Sequence, residues 1–417
     1  MRNLRETTAG DAVNGHAQDA AAAHEALDGI VLPTDYRINA ERALAAAPAG
    51  ASNYLRHTLI GDPEMDAIME EMSYLPAGDV GLFIHAGMEQ DEDTLRSAPE
   101  ALREFFLSPP PDPPWLDREA FGPGIRAFHR DSGMILVGFV TGVLVDGFTT
   151  YIAKSFVLTG RIFDRGVRRL QQNNRHFLEI FFPGGLERYG DGWKLSVRIR
   201  LIHAQLRRLL RAAEDWDEEA WGAPISAAHT GYAAACFSAR TMKHAEALGV
   251  RFTREERESI MAIWRYTAWL MGIPESILSS SEQEALDLYE IASLCEPPMS
   301  DESIIMSNAL VNSAPLVAGV TDPAERRAMV SKQIFPLSRA LIGNEMADAL
   351  RFPRTRSPMV LFQFKMLQRW QQLKAKLQRK EVTADNFGQL LAISAYDESG
   401  ISYRVPDHEH SEESSDW

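Results

Sequence analysis

The sequence predicts an all-α protein, and three observations carry that prediction. From Met134 to Lys380 apolar residues recur at the spacing of buried helices, almost without interruption. No run keeps a two-residue alternation over the length of a strand. Glycine and proline gather at the interruptions: Gly160, Pro183-Gly-Gly185, Trp221-Gly-Ala-Pro224, Gly249, Gly272-Ile-Pro274 and Pro297-Pro298. The sequence has neither an internal repeat nor a heptad seam.

Taken in order, residues 1–30 are rich in Ala, Gly and Asp without a stable apolar period, and are read as a flexible arm. A helix is predicted over Asp62–Met72, with Pro63 in its first turn directly after Asp62. A second, amphipathic helix follows over Glu92–Phe106. Ser108-Pro-Pro-Pro-Asp-Pro-Pro-Trp115 admits neither helix nor central strand, and reads as an extended connector that Trp115 pins to the core. Further helices are predicted over Met134–Val157, Arg161–Phe182, Trp193–Ala213, Ala223–Leu248, Thr253–Met271, Ser281–Cys295, Asp301–Leu310, Ala324–Ile342 and Met359–Lys380. The longest apolar run, Met134–Val145, is too short to span a bilayer and stops at Asp146; its Gly138 and Gly142 suit a closely packed core helix. The end of the chain is acidic, and 396–417 is predicted to be a disordered tail, leaving one helical domain over 31–395.

With 417 residues, 45% of them hydrophobic, the chain can bury a large core. Its 58 acidic against 43 basic residues give a net charge of −15, which argues against nucleic acid as a partner. Two cysteines, Cys236 and Cys295, make no disulfide framework and have no zinc spacing. The opening residues lack the apolar stretch of a secretory signal, so a cytoplasmic protein is expected. Phosphate-binding glycine loops and a serine-nucleophile elbow are absent. No Glu-x-x-His pair occurs in two copies, which disfavours a di-iron bundle.

The most informative stretch is Trp193–Leu210. On a helix, Arg200, His203 and Arg207 stand at i−3, i and i+4 and share one face, while Leu195, Ile202 and Leu209 make the other sides apolar. A buried helix with two cations needs anionic partners. Two readings answer this. Either His203 ligates a haem iron and the guanidiniums neutralise its propionates, or His203 is a core histidine and the arginines pair with Asp or Glu. The preceding helix offers a matching polar face through Arg165, Arg169, Gln172, Asn173 and His176. The connection Pro183–Gly192 returns the chain antiparallel, and Gln172 and His203 are equidistant from its midpoint. A wet polar face is the other reading of that helix.

In their order and spacing, Gly61-Asp-Pro63, Pro114-Trp-Leu-Asp117, Thr159-Gly-Arg161, Arg169-Leu170, Val197-Arg-Ile-Arg-Leu-Ile-His203, Thr230-Gly231 and Gly272-Ile-Pro274 carry a resemblance. The chain resembles the haem oxygenase family that includes rubber oxygenase (latex clearing protein) and the membrane-bound oxygenase of mycophenolic acid biosynthesis. The likeness spans residues 60–310 and is strongest over 159–210. It implies a globin-like multi-helix haem-binding core, here with extra N- and C-terminal helices. It also implies one haem b, its iron on His203, flanked by Arg200 and Arg207 and with Arg169 on the distal side. Members of the family add dioxygen across carbon–carbon double bonds of isoprenoid chains and cleave them.

The sequence departs from that pattern where rubber oxygenase carries a distal lysine and threonine; Gln172 and Asn173 stand there. A neutral amide is a poor iron ligand but a good hydrogen-bond donor. Arg169, Gln172 and Asn173 are therefore the candidate catalytic residues. Asp146 is the nearest carboxylate to the place of the family's upstream acid. The function expected is a haem b-dependent oxygenase acting on an apolar unsaturated small molecule or lipid and dioxygen. A non-catalytic haem- or lipid-binding carrier or sensor is the alternative. His176 is the second candidate for iron; His129, His229 and His244 have no spacing partner for a metal. The basic segment 359–380 is read either as a terminal helix docked on the core or as a weak membrane-surface contact, with Leu361, Phe364, Met366, Leu367, Trp370 and Leu373 forming its apolar side.

Overall fold

The structure, a computed structural model, describes residues 29–109, 111–159, 174–317, 334–354 and 359–377, and among these every regular element is helical. The helices are α1 (Arg37–Ala46), α2 (Pro48–His57), α3 (Pro63–Met72), α4 (Ala77–Glu89), α5 (Glu92–Leu95), α6 (Glu100–Leu107), α7 (Gly122–Gly138), α8 (Thr150–Leu158), α9 (Asp191–Ala212), α10 (Ala227–Ala235), α11 (Thr241–Ala247), α12 (Arg254–Leu270), α13 (Glu282–Cys295), α14 (Asp301–Val317), α15 (Asn344–Ala349) and α16 (Val360–Leu377). Residues 174–179 and 334–342 are also helical. The expected flexible arm, the acidic tail and most of Arg161–Phe182 lie outside the described residues, so no structure is assigned to them.

Several boundaries follow from capping chemistry. At α3, the Asp62 carboxylate accepts from Met65 N at 3.2 Å, Pro63 needs no donor there, and Glu64 and Asp66 suit the positive helix end. Thr253 and Glu256 form a reciprocal capping box at the start of α12, and Ser281 caps α13. The expected helix Glu92–Phe106 is instead the two helices α5 and α6, because Pro99 cannot continue the first and stands in extended backbone just before the second. The expected Met134–Val157 begins earlier, within α7, and breaks between Asp146 and Thr150, where Gly147 and Phe148 carry the chain into α8. Between α7 and the break lies a π-helical stretch, Phe139–Val143; a second, Cys236–Arg240, joins α10 to α11. Each inserts about one residue per turn and so rotates the faces that follow.

One core cluster gathers side chains from Leu32 to Cys295, with Tyr36, Tyr54, Phe128, Phe139, Phe177 and Tyr266 among its fully buried members. Packed aromatic rings run through it: Phe139 stacks on Phe177 at 4.4 Å and Phe128 on Phe181 at 4.6 Å between centroids. α12 packs against α7, and α9 packs against both α3 and α12. The continuous helical stretch Glu119–Asp146 is long and apolar enough to cross a membrane, but 56% of its apolar window is buried, and Phe128, Ile135, Phe139 and Val143 belong to the core. It ends on Asp146, a fully buried carboxylate held by Arg240 and His244. Trp115 does pin the proline-rich connector: its indole donates to Glu275 at 3.2 Å and lies beneath the Arg265 guanidinium. Smaller clusters around Val311, Phe335 and Leu350, and around Leu248, Leu337 and Val360, attach the C-terminal helices.

Candidate active site

α9 spans 22 residues without proline and starts on Asp191. It buries Val197, Leu201, Leu206 and Leu210 in the core. Ser196, Arg200, His203 and Arg207 lie on one stripe at helical spacing, and His203 is half-buried on it.

Both flanking arginines are engaged by carboxylates from α3 and its cap. Arg200 donates from Nε to Asp62 Oδ2 at 2.5 Å, and from Nη2 to Asp62 Oδ1 at 2.9 Å and Glu64 Oε2 at 2.7 Å. Arg207 donates from Nε to Asp66 Oδ1 at 2.6 Å and from Nη1 to the Ile225 carbonyl at 3.2 Å. These are the ion pairs that one of the two sequence readings foresaw. The two cations are not equally compensated. Burial opposes the charge of Arg200, but the Asp62 carboxylate outweighs it and raises the guanidinium pKa. For Arg207 burial wins over Asp66 and the pKa is lowered; its Nη2 is buried without a hydrogen-bond partner among the described residues.

The pairs also explain two glycines. Gly272 has φ +78° at the end of α12, and a Cβ there would collide with Asp62 Oδ2 and Arg200 Nε. A Cβ on Gly61 would meet Arg207 Cδ. Gly61-Asp-Pro63, Arg200, Arg207 and Gly272, scattered over more than half of the chain, meet at one brace.

His176 does not stand open as an iron ligand. It is buried, its Nε2 lies 2.9 Å from Ser196 Oγ, and that hydroxyl donates to the Gly192 carbonyl at 2.7 Å. Burial alone pushes its pKa down from 6.5 to about 4, so it is neutral. This hydrogen bond pairs the two arms of the hairpin in a register about one helical turn away from the one given by equidistance from the loop midpoint. Arg169, Gln172 and Asn173 lie outside the described residues.

Sequence reasoning missed two buried polar clusters whose members are far apart in the chain. In the first, Asp146 Oδ2 accepts from Arg240 Nε and Nη2 at 3.0 and 2.9 Å and lies 2.8 Å from His244 Nε2, while Tyr232 donates to the Asp146 carbonyl at 2.8 Å. It sits where the two π-helical stretches come together, with Gly138 and Gly142 backing onto His244. In the second, Glu296 Oε1 accepts from Tyr54 at 2.7 Å and Tyr36 at 3.1 Å and lies 3.3 Å from His229 Nε2. Burial opposes the Glu296 charge, but His229 and the two hydroxyls lower its pKa on balance. His229 and His244, which have no metal spacing in sequence, are each engaged by a buried carboxylate, Glu296 and Asp146. Burial raises both thiols, Cys295 to about 12, so neither is a reactive nucleophile.

Two outcomes test this geometry. Asp62→Ala removes the cap of α3 and the bidentate partner of nearly buried Arg200, and should cost about 3–5 kcal/mol. Glu64→Ala removes a carboxylate that is 55% exposed and should cost about 0–1 kcal/mol. Urea unfolding compares them; equal losses would contradict the brace. For His176 the folded pKa lies below the unfolded one, so its stabilisation is complete above pH 6.5 and is lost as the pH falls toward 4, on the order of 3 kcal/mol in total. Unfolding free energies at pH 7 and 4.5 should converge between wild type and His176→Gln; parallel curves would contradict a neutral buried imidazole.

The catalytic-domain family described as ER-bound oxygenase mpaB/B'/Rubber oxygenase matches residues 126–372. Rubber oxygenase of Streptomyces sp. (strain K30) is 24% identical over 301 residues, which is 69% of this chain and 69% of that protein. The solved structure of latex clearing protein LCP in the closed state superposes with a TM-score of 0.55 at 17% identity, covering 81% of this chain and 91% of that one, a likeness of fold. With the family match covering more than half of its length, including the whole of α9 and the arginine–histidine stripe, the chain belongs to the mpaB/rubber oxygenase family of oxygenases.

Proposed function

We propose that this oxygenase depends on haem b and oxidises or cleaves a C=C bond of an isoprenoid-like or other unsaturated apolar substrate, with dioxygen as co-substrate. The observation that carries the proposal is the stripe of α9: a half-buried histidine between the nearly buried Arg200 and the buried Arg207, on a helix locked in position from α3. An imidazole suits iron, and Arg207 Nη2, buried without a partner, is a donor suited to an anionic group such as a propionate. The donor set fits haem on these two counts. His203 would hold the iron and Arg207 would face a carboxylate of the macrocycle. Arg200, already neutralised by Asp62 and Glu64, would contribute chiefly by fixing the helix. Haem, when bound, supplies the iron chemistry that activates dioxygen.

The remaining roles fall to the chain's own side chains. Arg169, Gln172 and Asn173 are proposed to act on the distal side, where a guanidinium and two amides donate hydrogen bonds to polar atoms of the reactants and take up no proton themselves. A cytoplasmic location is proposed with this function, and a small unsaturated lipid is the substrate class it suits.

The first test is an absorption spectrum after haem-replete expression. A Soret band is expected in wild type and in His176→Gln, and its loss in His203→Ala. Stoichiometric haem in all three proteins would mean that His203 does not hold the iron. Oxygen uptake with unsaturated isoprenoids then separates the enzyme from a carrier or sensor, for which uptake would stay at the background rate. The second test concerns Gln172, whose amide cannot occupy iron as a deprotonated lysine amine can. Ferric wild-type protein should be mainly high-spin by electron paramagnetic resonance, and Gln172→Lys should introduce a low-spin component that grows with alkaline pH. A wild-type spectrum that is already fully low-spin would contradict the proposed distal side.

A further inference from the structure

The basic C-terminal helix has two apolar faces, and among the described residues only one of them packs against the body. Val360, Leu361 and Phe364 pack against Leu248, Leu337 and Leu341, which docks the first turns of α16 on the body. Along the other side Phe362, Met366, Trp370 and Leu373 are 56%, 48%, 58% and 58% exposed, and Met359, just before the helix, is 52% exposed. At 100° per residue these five side chains fall within an arc of about 80°. The single apolar side expected from the sequence is therefore split: Leu361 and Phe364 turn to the protein, while Met366, Trp370 and Leu373 turn to solvent. An isolated exposed apolar residue needs no explanation, but a continuous stripe on one helix does.

The charge around the stripe identifies what covers it. Val360–Leu377 carries Lys365, Arg369, Lys374 and Lys376 and not one acidic residue, in a chain of net charge −15. Arg369 and Lys374 are exposed beside the stripe, and the Lys374 ammonium lies 4.8 Å from the centre of the Trp370 ring. A second copy would bring an equally positive helix against this one, which charge opposes. An anionic lipid surface complements it: aromatic and aliphatic side chains enter the headgroup region while flanking cations meet the phosphates. We propose that α16 docks flat on an anionic membrane surface, inserting Phe362, Met366, Trp370 and Leu373 with Lys365, Arg369 and Lys374 on lipid phosphates. The proposal stands apart from the haem reading, since it concerns a different face of the molecule and a different ligand. It would bring an oxygenase of apolar substrates to the phase in which such substrates dissolve.

Cosedimentation of the full chain with large unilamellar vesicles tests it. Vesicles of phosphatidylcholine with phosphatidylglycerol should retain the protein, pure phosphatidylcholine should not, and high salt should release it. Phe362→Ser/Trp370→Ser should abolish retention, and each of Lys365→Gln, Arg369→Gln and Lys374→Gln should weaken it about fivefold. These side chains leave the core untouched, so unchanged circular dichroism is expected of every variant. Leu82→Ser, exposed elsewhere on the surface, is the control that keeps binding. Wild type that ignores anionic vesicles, or variants that bind as wild type does, would overturn the proposal. So would a dimer in light scattering that dissociates in Phe362→Ser/Trp370→Ser, which gives the stripe to a second copy. Crosslinks from Lys374 to the acidic end of the chain in protein that binds no vesicles would overturn it equally.

Discussion

The bidentate contact between Arg200 and Asp62 is the constraint from which the rest of the site follows. It joins the middle of α9 to the N-cap of α3 across 138 positions of sequence. Burying a guanidinium and a carboxylate costs more than their attraction returns unless every donor and acceptor is used. Here Asp62 serves both Arg200 and the N-terminus of α3, and Glu64 takes the outer donor of Arg200. Gly272 leaves the space the pair occupies. The pair fixes the rotation of α9, and that rotation sets where His203 points.

Arg207 repeats the arrangement about two turns further on but less completely. Asp66 and the Ile225 carbonyl employ two of its donors, and Nη2 is left over. An over-compensated cation beside an under-compensated one divides the labour. Arg200 belongs to the scaffold, and Arg207 retains capacity for an anion from outside the chain. Of the two readings the sequence pattern admitted, the ion pairs of Arg200 and Arg207 are observed, and the haem reading is the proposal made above.

Where the sequence was legible, local chemistry decided. Asp62-Pro63 announced α3, Thr253 and Glu256 announced α12, and the demand of two buried arginines for anionic partners followed from desolvation alone. Which acids answer the demand was not legible, because Asp62 and Asp66 come to α9 only through the tertiary fold. The same distance hid Glu296 with Tyr36, Tyr54 and His229, and Asp146 with Arg240 and His244. The two π-helical stretches shift the apolar period by a residue and leave no mark in composition. The hairpin register failed for a related reason: the chain around Gly185 and Gly192 is wound tightly against the Glu179 carbonyl, so midpoint counting does not locate the facing residues. In α16 one apolar period served two faces, and only packing could tell which residues the protein keeps.

We propose that the brace presents His203 as the residue that holds the cofactor. Replacing the imbidazole with a vacancy that free imidazole can fill tests this without relying on turnover. His203→Gly expressed with haem should lack a Soret band, and adding imidazole together with haem should restore the wild-type spectrum, while Asp62 and Arg200 keep α9 in place. A His203→Gly protein that binds haem with an unchanged spectrum in the absence of imidazole would contradict the account.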